Sequence, residues 1–291
     1  MTTASHSGTF LIGGDLPIHR MGFGAMQLTG PGVWGPPADE ANARDIFRRA
    51  AELDINFIDT ADVYGPRDSE RIIREALSPY PDGLVIGTKG GLLRSGPATR
   101  ENPGMSMDGS EGHIRAAIEG SLKTLGVERI DLYQLHRIDP AVPVEETMRV
   151  FRALRDEGKI RHIGLSEVGI EAIERARSVV DIATVQNVYN LANRRHNDVL
   201  AYCEQHGIGF IPFWPLRIGN IAGSTEITDI AARVNATPSQ VALAWLLRKS
   251  PAVILIPGTS SMRHLEENVA ACDVLLSDAD MEGLEPLGAL R

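Results

Sequence analysis

Residues 57–65 read Phe57-Ile58-Asp59-Thr60-Ala61-Asp62-Val63-Tyr64-Gly65, a short apolar run that passes into a polar loop. The apolar part, residues 57–61, has the length expected of a buried strand. Seven more runs of this type occur along the chain, at residues 21–26, 84–89, 130–136, 160–166, 182–187, 209–213 and 253–257. Eight strands that alternate with helices predict an α/β fold with a parallel sheet, either closed as a barrel or open and doubly wound.

The intervals between these runs are amphipathic. One helical stripe, with spacings of four, four and three residues, consists of Ile114, Ile118, Leu122 and Leu125. No Pro/Gly/Ser-rich linker interrupts the alternation, so residues 1–291 are predicted to form a single domain. Ahead of the first run, two extended segments at residues 9–13 and 16–20 flank Gly14-Asp15 and predict a β-hairpin. This hairpin would close the floor of a barrel.

Two intervals are longer than the others. Residues 90–109 follow the third predicted strand, and residues 217–224 follow the seventh. Loops that follow strands lie on the C-terminal face, where barrel enzymes keep their catalytic groups. Both intervals are therefore predicted to form walls of a substrate pocket.

Composition excludes several classes of function. The chain has 291 residues with 43% hydrophobic content, enough for a sizeable core, and a net charge of −9, which argues against nucleic acid as a partner. No run of about 18 apolar residues is present, so no membrane span is predicted. The polar N-terminus has no apolar stretch suited to a signal peptide, which favours a cytoplasmic location. Cys203 and Cys272 are expected to be reduced thiols; no metal site is predicted, and a monomer is favoured.

Polar residues stand at the ends of three consecutive predicted strands. Asp59, Lys89 and His136 close the second, third and fourth, and Tyr64 lies in the loop just beyond Asp59. The ends of adjacent strands converge on one mouth of a barrel, so these four side chains are expected to meet. Each also fits a structural role on its own, as an ion-pair member, a hydrogen-bonded histidine or a loop aromatic.

Together the four residues suggest proton transfer to a carbonyl. The pKa of a free tyrosine is about 10, and a neighbouring ammonium favours the phenolate and lowers that pKa. Asp59 would hold Lys89 in place and charged. Tyr64 would then donate a proton to the oxygen as a hydride arrives at the carbon, and His136 would orient the carbonyl.

The stretch from Phe57 to Gly65, together with Thr88-Lys89 and Leu135-His136, resembles the segments that carry the catalytic Asp, Tyr, Lys and His of aldo-keto reductases. The resemblance extends from about residue 20 to the last helix. It implies a closed (β/α)8 TIM barrel and an NADPH-dependent reduction of an aldehyde or ketone.

The resemblance also implies how the cofactor binds. No G-x-G-x-x-G follows the first strand, so a Rossmann site is unsupported. Family members instead lay an extended NADPH across the barrel mouth. Ser166 and Gln186 match the residues that hold the carboxamide, although Glu167 stands where the family usually has Asn, and Phe213 matches the aromatic that stacks on the nicotinamide. Further predicted cofactor contacts are Ala25, Met26, Asp59, Trp214, Pro215 and Leu216.

The segment from Gly258 to Asn268 resembles the part of the family that takes the adenosine 2′-phosphate. It runs from the eighth strand into a helix, whose free N–H groups form an anion site. The predicted contacts are Gly258, Thr259, Ser260, Arg263, Glu267 and Asn268. Many relatives have Lys at the position of Gly258 and Arg at that of His264, so Arg263 is expected to substitute. NADPH is favoured over NADH.

The substrate and two rival functions stay open at this stage. The opening from Gly24 to Pro37 is similar to that of bacterial pyridoxal reductases within the family, which suggests pyridoxal as the small-molecule substrate, with Trp34, Tyr64 and His136 in its pocket. A barrel lyase or aldolase would instead form a Schiff base on Lys89. A non-catalytic NADPH-binding sensor subunit is the third possibility, against which the four retained catalytic residue types argue.

Overall fold

A single parallel sheet forms the framework of the protein. The structure is a computed structural model that describes residues 2–217 and 219–289. Its strands are β1 (Thr9–Ile12), β2 (Leu16–His19), β3 (Phe23–Gly24), β4 (Phe57–Asp59), β5 (Val85–Gly90), β6 (Leu92–Arg94), β7 (Met105–Met107), β8 (Ile130–Leu135), β9 (Ile160–Ser166), β10 (Thr184–Val188) and β11 (Gly209–Phe213). Seven of them pair in parallel in the order β3-β4-β5-β8-β9-β10-β11.

The eighth predicted run closes this sheet into a barrel. Residues 253–257 do not form a continuous strand, but parallel bridges join Met21 to Leu255 and Phe210 to Val253. Backbone hydrogen bonds of 2.7 to 2.8 Å accompany the bridges on both sides. The segment therefore links the two edges of the sheet, and the fold is a (β/α)8 barrel, not an open doubly wound sheet.

Ten α-helices in the described part of the chain surround the barrel. They are α1 (Glu40–Glu52), α2 (Asp68–Leu77), α3 (Glu111–Leu125), α4 (Val144–Asp156), α5 (Ile170–Arg177), α6 (Asn197–Gln205), α7 (Thr225–Arg233), α8 (Pro238–Lys249), α9 (Met262–Ala270) and α10 (Asp278–Leu284). Their apolar faces pack outside the strands; the predicted stripe of α3 is buried at Ile114, Ile118 and Leu125 and half-buried at Leu122.

The predicted N-terminal hairpin is confirmed and lies at the floor of the barrel. β1 pairs antiparallel with β2. The side chains of Ile12, Leu16 and Ile18 join one buried cluster with barrel-interior residues such as Phe57 and Leu132. Burying apolar surface here closes the barrel end opposite the loops that follow the strands.

Two strand predictions differ from the structure in extent. The first was expected over residues 21–26, but β3 is only two residues long because Ala25–Leu28 turns into a 3-10 helix. The long interval 90–109 contains a short antiparallel hairpin, β6–β7, instead of an irregular loop. In the interval 217–224, residue 218 lies outside the described residues, and Gly219–Gly223 forms a 3-10 helix.

In the described ranges, no helix has the length and apolar character needed to cross a bilayer. Cys203 is buried and Cys272 half-buried, and both are free thiols, as expected.

Candidate active site

Asp59 and Lys89 form a buried ion pair at the mouth of the barrel. Asp59 is the last residue of β4 and Lys89 lies near the end of the adjacent β5. The Lys89 Nζ is 2.6 Å from the Asp59 Oδ2 and also donates to the Thr60 carbonyl at 2.8 Å. Burial alone would lower the pKa of Lys89, but Asp59 and Tyr64 outweigh it and the pKa is raised. The amine is therefore held as an ammonium.

Tyr64 lies beside this ammonium. The Lys89 Nζ is 5.3 Å from the centre of the Tyr64 ring and interacts with its side chain. The turn that presents Tyr64 depends on Gly65, which has a φ of 72° and would place a Cβ only 2.8 Å from the Gly35 carbonyl oxygen.

The expected lowering of the tyrosine pKa is wrong in its net direction. Burial raises the pKa of Tyr64, and the ammonium of Lys89 lowers it only in part. Sequence reasoning considered the charge but not the desolvation of the phenol. The result is a phenol that keeps its proton at neutral pH next to a fixed positive charge.

His136 completes the group as a neutral imidazole. His136 follows the end of β8, and its backbone N–H donates to the Gly90 carbonyl at 2.8 Å. Its ring meets that of Tyr64 edge-on, with centroids 5.9 Å apart. Burial lowers the pKa of His136 well below the usual value, and the charges of Lys89, Arg137 and Arg94 lower it further.

A cavity of about 950 Å³ opens over these residues. Eleven of the residues predicted for catalysis or binding line it: Met26, Asp59, Tyr64, His136, Ser166, Gln186, Phe213, Trp214, Pro215, Leu216 and Gly258. Its outer wall includes Ala98 and Met105, which belong to the interval 90–109. That interval and Arg217 therefore border the cavity, as predicted for the two long intervals.

Ser166 and Gln186 lie on the same side of the cavity. The Gln186 Nε2 donates to the Asp59 Oδ1 at 2.8 Å, which leaves its amide oxygen as an acceptor. The Ser166 Oγ accepts from the Arg137 Nη1 at 2.9 Å. An acceptor and a hydroxyl at this spot fit a primary carboxamide, which offers both N–H donors and a carbonyl oxygen.

Glu167 occupies a left-handed backbone position with a φ of 55°. Asn is enriched in this conformation and Glu is not, which gives a physical reason for the Asn usually found here in relatives. The Glu167 carboxylate accepts from the Val188 N–H at 2.6 Å and pairs with Arg195 at 2.7 Å. Its side chain thus ties the ends of two strands together.

Phe213 ends β11 and forms an aromatic wall of the cavity. The Trp214 ring meets it edge-on at 5.2 Å, and the Arg217 guanidinium lies 4.5 Å from the centre of the Trp214 ring. Trp214 is 43% exposed and also has a positive φ, of 54°. The Arg137 guanidinium lies over the Phe213 ring, 5.8 Å from its centre, so a ligand ring could stack on that face only after Arg137 moves.

The segment predicted to bind a 2′-phosphate extends away from the cavity. Gly258 lines the cavity, and Ser260 lines an adjoining groove of about 510 Å³. The helix α9 begins at Met262, capped by Ser261. Arg263, in its first turn, is exposed and pairs with Glu267 at 2.7 Å.

Several predicted residues do not line the main cavity. Thr259, Asn268 and Ala25 are buried, and Arg263 and Glu267 lie on the surface of α9. Trp34 is 38% exposed, and its neighbour Val33 lines the cavity in its place. The structure thus does not bring Trp34 to the substrate pocket predicted for it.

Sequence reasoning missed several polar residues of the site. The Gln134 Nε2 donates to the Asp59 Oδ1 at 3.1 Å. Gln134 precedes His136 by two residues, and alternation along a strand could have placed it on the same face. Gln134 contacts the site through Asp59, whereas Arg94 and Arg137 line the cavity itself, and no periodicity in the sequence indicates this.

The described residues contain no group of three or more His, Cys, Asp or Glu side chains arranged to hold a metal ion. Some polar atoms at the cavity have no hydrogen-bond partner among the described residues. The His136 Nδ1, for example, is buried and has no hydrogen-bond partner among the described residues.

Comparison with known proteins agrees with this geometry. Residues 20–288 match the model of the Aldo/keto reductase family. An uncharacterised oxidoreductase of Schizosaccharomyces pombe is 46% identical over 286 residues, or 98% of this chain and 91% of that protein. The pyridoxine 4-dehydrogenase of Escherichia coli is 40% identical over 285 residues, or 96% and 98% of the two chains. An aldo-keto reductase from Klebsiella pneumoniae, in complex with NADPH, superimposes with a TM-score of 0.80 at 26% identity, covering 99% of this chain and 95% of that one.

Proposed function

The chain belongs to the aldo/keto reductase family and is an oxidoreductase, and we propose that it reduces an aldehyde or ketone with NADPH, using Tyr64 as the proton donor. The observation that carries this proposal is the buried Lys89–Asp59 pair of 2.6 Å directly beside the Tyr64 ring. NADPH, when bound, supplies the hydride that adds to the carbonyl carbon.

Tyr64 can act as an acid because it keeps its proton until an alkoxide forms and because Lys89 offsets part of the cost of the buried phenolate. Burial keeps the pKa of Tyr64 above its usual value, so the phenol is protonated over the neutral range. When the proton leaves for the nascent alkoxide, the Lys89 ammonium balances the new phenolate charge. Proton transfer of this kind contributes roughly 10² to 10⁴ in rate.

His136 positions the carbonyl oxygen. Since its pKa is held well below the ordinary value, the ring is neutral and one nitrogen carries a hydrogen. The ring borders the cavity next to Tyr64, so this N–H can donate to the same oxygen that Tyr64 protonates. Two donors on one oxygen fix its distance from the acid.

The cofactor is assigned to the wall opposite the 90–109 interval. Gln186 and Ser166 fit its carboxamide, and the Phe213 ring can stack on its nicotinamide ring once the Arg137 guanidinium, 5.8 Å from the ring centre, has moved. The guanidinium of Arg137, now bonded to the Ser166 Oγ, must turn aside for the carboxamide to reach that hydroxyl. The relative from Klebsiella pneumoniae, which is described in complex with NADPH, supports this choice of cofactor.

The cofactor's adenosine end is assigned to α9. Arg263 and the N–H groups of the first turn of this helix are the donors that suit a 2′-phosphate. Glu267 holds the Arg263 side chain at 2.7 Å and would share it with the phosphate.

The rival reading of Lys89 as a Schiff-base nucleophile is disfavoured. A nucleophilic lysine needs a depressed pKa and access to substrate. The pKa of Lys89 is raised, its side chain is 0% exposed, and it lies behind Asp59. A non-catalytic sensor would not require the proton donor and ammonium to be arranged in this way.

Pyridoxal is the specific substrate that we propose to test first. The support is the 40% identity to the pyridoxine 4-dehydrogenase of Escherichia coli over nearly the full length of both chains. The experiment measures NADPH oxidation with pyridoxal and with simple aromatic aldehydes. A kcat/KM for pyridoxal at least tenfold above the others supports this substrate. Equal values would leave the reductase assignment standing and remove pyridoxal.

A further inference from the structure

The cavity carries more positive than negative charge, although the whole chain has a net charge of −9. Its charged lining consists of two carboxylates and four guanidinium groups, namely Asp59, Glu167, Arg94, Arg137, Arg195 and Arg217. Asp59 is neutralised by Lys89 at 2.6 Å, and Glu167 by Arg195 at 2.7 Å. Among the described residues, no carboxylate comes within ion-pair distance of the other three arginines.

These three arginines lie at different parts of the cavity. Arg217 stacks on Trp214, at the end assigned to the cofactor. Arg94 and Arg137 line the same cavity as Tyr64 and His136, and the Arg137 Nη1 donates to the His136 carbonyl at 2.6 Å. Both charges lower the pKa of His136, although burial and Lys89 have the larger effects. Arg137 lies on the side assigned to the cofactor, bonded to the Ser166 Oγ and 5.8 Å from the centre of the Phe213 ring, which leaves Arg94 as the cation on the substrate side.

Arg94 lies on the side of the catalytic residues where the substrate is expected to bind. It ends β6 and lines the cavity together with Val33, Ala98 and Met105, away from the proposed cofactor wall. Its Nη2 donates to the Gly32 carbonyl, which anchors the guanidinium to the neighbouring loop. The Arg94 Nε is buried and has no acceptor among the described residues. Leaving a buried donor unpaired costs about 1–3 kcal/mol, so a turn of the side chain that brings this N–H to an acceptor on a ligand would be favoured.

We propose that Arg94 binds an anionic group on the carbonyl substrate, a carboxylate or a phosphate. The proposal rests on the proposed function and narrows its substrate class to aldehydes or ketones that carry a negative charge, so it favours pyridoxal 5′-phosphate over pyridoxal itself. A guanidinium and a carboxylate or phosphate form charge-assisted, often bidentate hydrogen bonds. Such a contact corresponds to about a 10- to 100-fold gain in kcat/KM over a neutral analogue.

The test compares pairs of aldehydes that differ in the charged group. 4-Carboxybenzaldehyde is compared with 4-methylbenzaldehyde, and pyridoxal 5′-phosphate with pyridoxal, at low and high salt. The wild-type protein should prefer the anionic member of at least one pair by tenfold or more, and the preference should shrink as salt screens the charges. A preference within the benzaldehyde pair indicates recognition of a carboxylate, and a preference within the pyridoxal pair indicates recognition of a phosphate.

The arginine is then tested by substitution. Arg94→Gln should bring the ratio of the two kcat/KM values to about one, mainly through the KM of the anionic aldehyde. Arg48→Gln, on the exposed surface of α1 and outside the cavity, removes the same charge and should keep the wild-type ratio. An active wild-type enzyme with ratios near one, or an Arg94→Gln variant that keeps the preference, overturns this inference alone. Absence of NADPH oxidation with all four aldehydes would overturn it together with the proposed function.

Discussion

The Nζ of Lys89 lies 2.6 Å from the Oδ2 of Asp59, and their side chains are 0% and 3% exposed. A buried ion pair is tolerated only when its remaining polar atoms are satisfied as well. Here the Asp59 Oδ1 accepts from Gln134 and Gln186, and Lys89 also donates to the Thr60 carbonyl. The pair therefore has two roles, to hold the barrel mouth together and to set a positive charge beside Tyr64.

Lys89→Met should abolish turnover and destabilise the fold. The methionine cannot balance a phenolate, and it leaves the Asp59 carboxylate buried and unpaired, at a cost of about 3–5 kcal/mol. Carbonyl reduction and chemical denaturation measure the two effects. Adding Asp59→Asn removes the uncompensated charge, so the double variant should regain part of the stability and stay inactive. Recovery of activity in the double variant would contradict the role given to the ammonium.

Asp62→Asn should make the protein more stable at pH 8. Burial and the nearby Glu70 raise the pKa of Asp62 to about 7, and its Oδ1 has no partner among the described residues. Between pH 4 and 7 the folded state retains a proton that the unfolded state has lost, so stability falls as pH rises. Asn cannot ionise, which should flatten this slope and add on the order of 3 kcal/mol at pH 8.

Thermal unfolding of the Asp62 variant from pH 5 to pH 8 gives the measurement. Asp82→Asn, at an exposed position, provides the matched control and should leave the slope unchanged. Parallel curves for wild type and Asp62→Asn would mean that Asp62 is ionised in the folded protein throughout this range.

Arg263→Gln should weaken NADPH binding and leave NADH binding nearly unaffected. The guanidinium lies on the first turn of α9, where the 2′-phosphate is proposed to bind, and NADH lacks this phosphate. We expect the ratio of the two dissociation constants to change about tenfold, which is the effect of one charge-assisted hydrogen bond. Fluorescence titration without substrate measures both constants, with Arg175→Gln on α5 as the control. An unchanged ratio would place the phosphate elsewhere.

Gly258→Lys should not improve NADPH binding, although many relatives have lysine there. A Cβ on Gly258 would lie 2.5 Å from the Gly24 carbonyl oxygen, since the eighth segment runs close to β3. The overlap should destabilise the protein by about 1–3 kcal/mol. Denaturant unfolding and NADPH titration of this variant measure both effects. Tighter NADPH binding at unchanged stability would show that the backbone adjusts freely here.

The order of strands and helices was predictable because their periodicities are local. The hairpin at Gly14 and the buried stripe of α3 depend on residues near each other in sequence. The eighth segment was harder to predict correctly, because residues 253–257 form isolated bridges to β11 and to Met21 and not a continuous strand. The β6–β7 hairpin was missed because it lies in an interval rich in proline and glycine, where pairing depends on the tertiary fold.

The site was predictable where strand ends place side chains on one mouth. Asp59, Lys89 and His136 converge for this reason, and the family resemblance supplied Ser166, Gln186 and Phe213, all of which the structure places at the cavity. The pKa of Tyr64 could not be predicted, because its direction depends on burial that only the fold determines. The same holds for the position of Trp34, which does not line the cavity.

The most direct test of the account is the single-turnover rate of NADPH oxidation by Tyr64→Phe with a reducible aldehyde. Removing one hydroxyl takes away the proton donor and little volume. The rate should fall by roughly 10² to 10⁴, the usual contribution of a general acid. NADPH titration should show that the dissociation constant of the cofactor has hardly changed. A variant that reduces the aldehyde at the wild-type rate would contradict the assignment of Tyr64 as the acid.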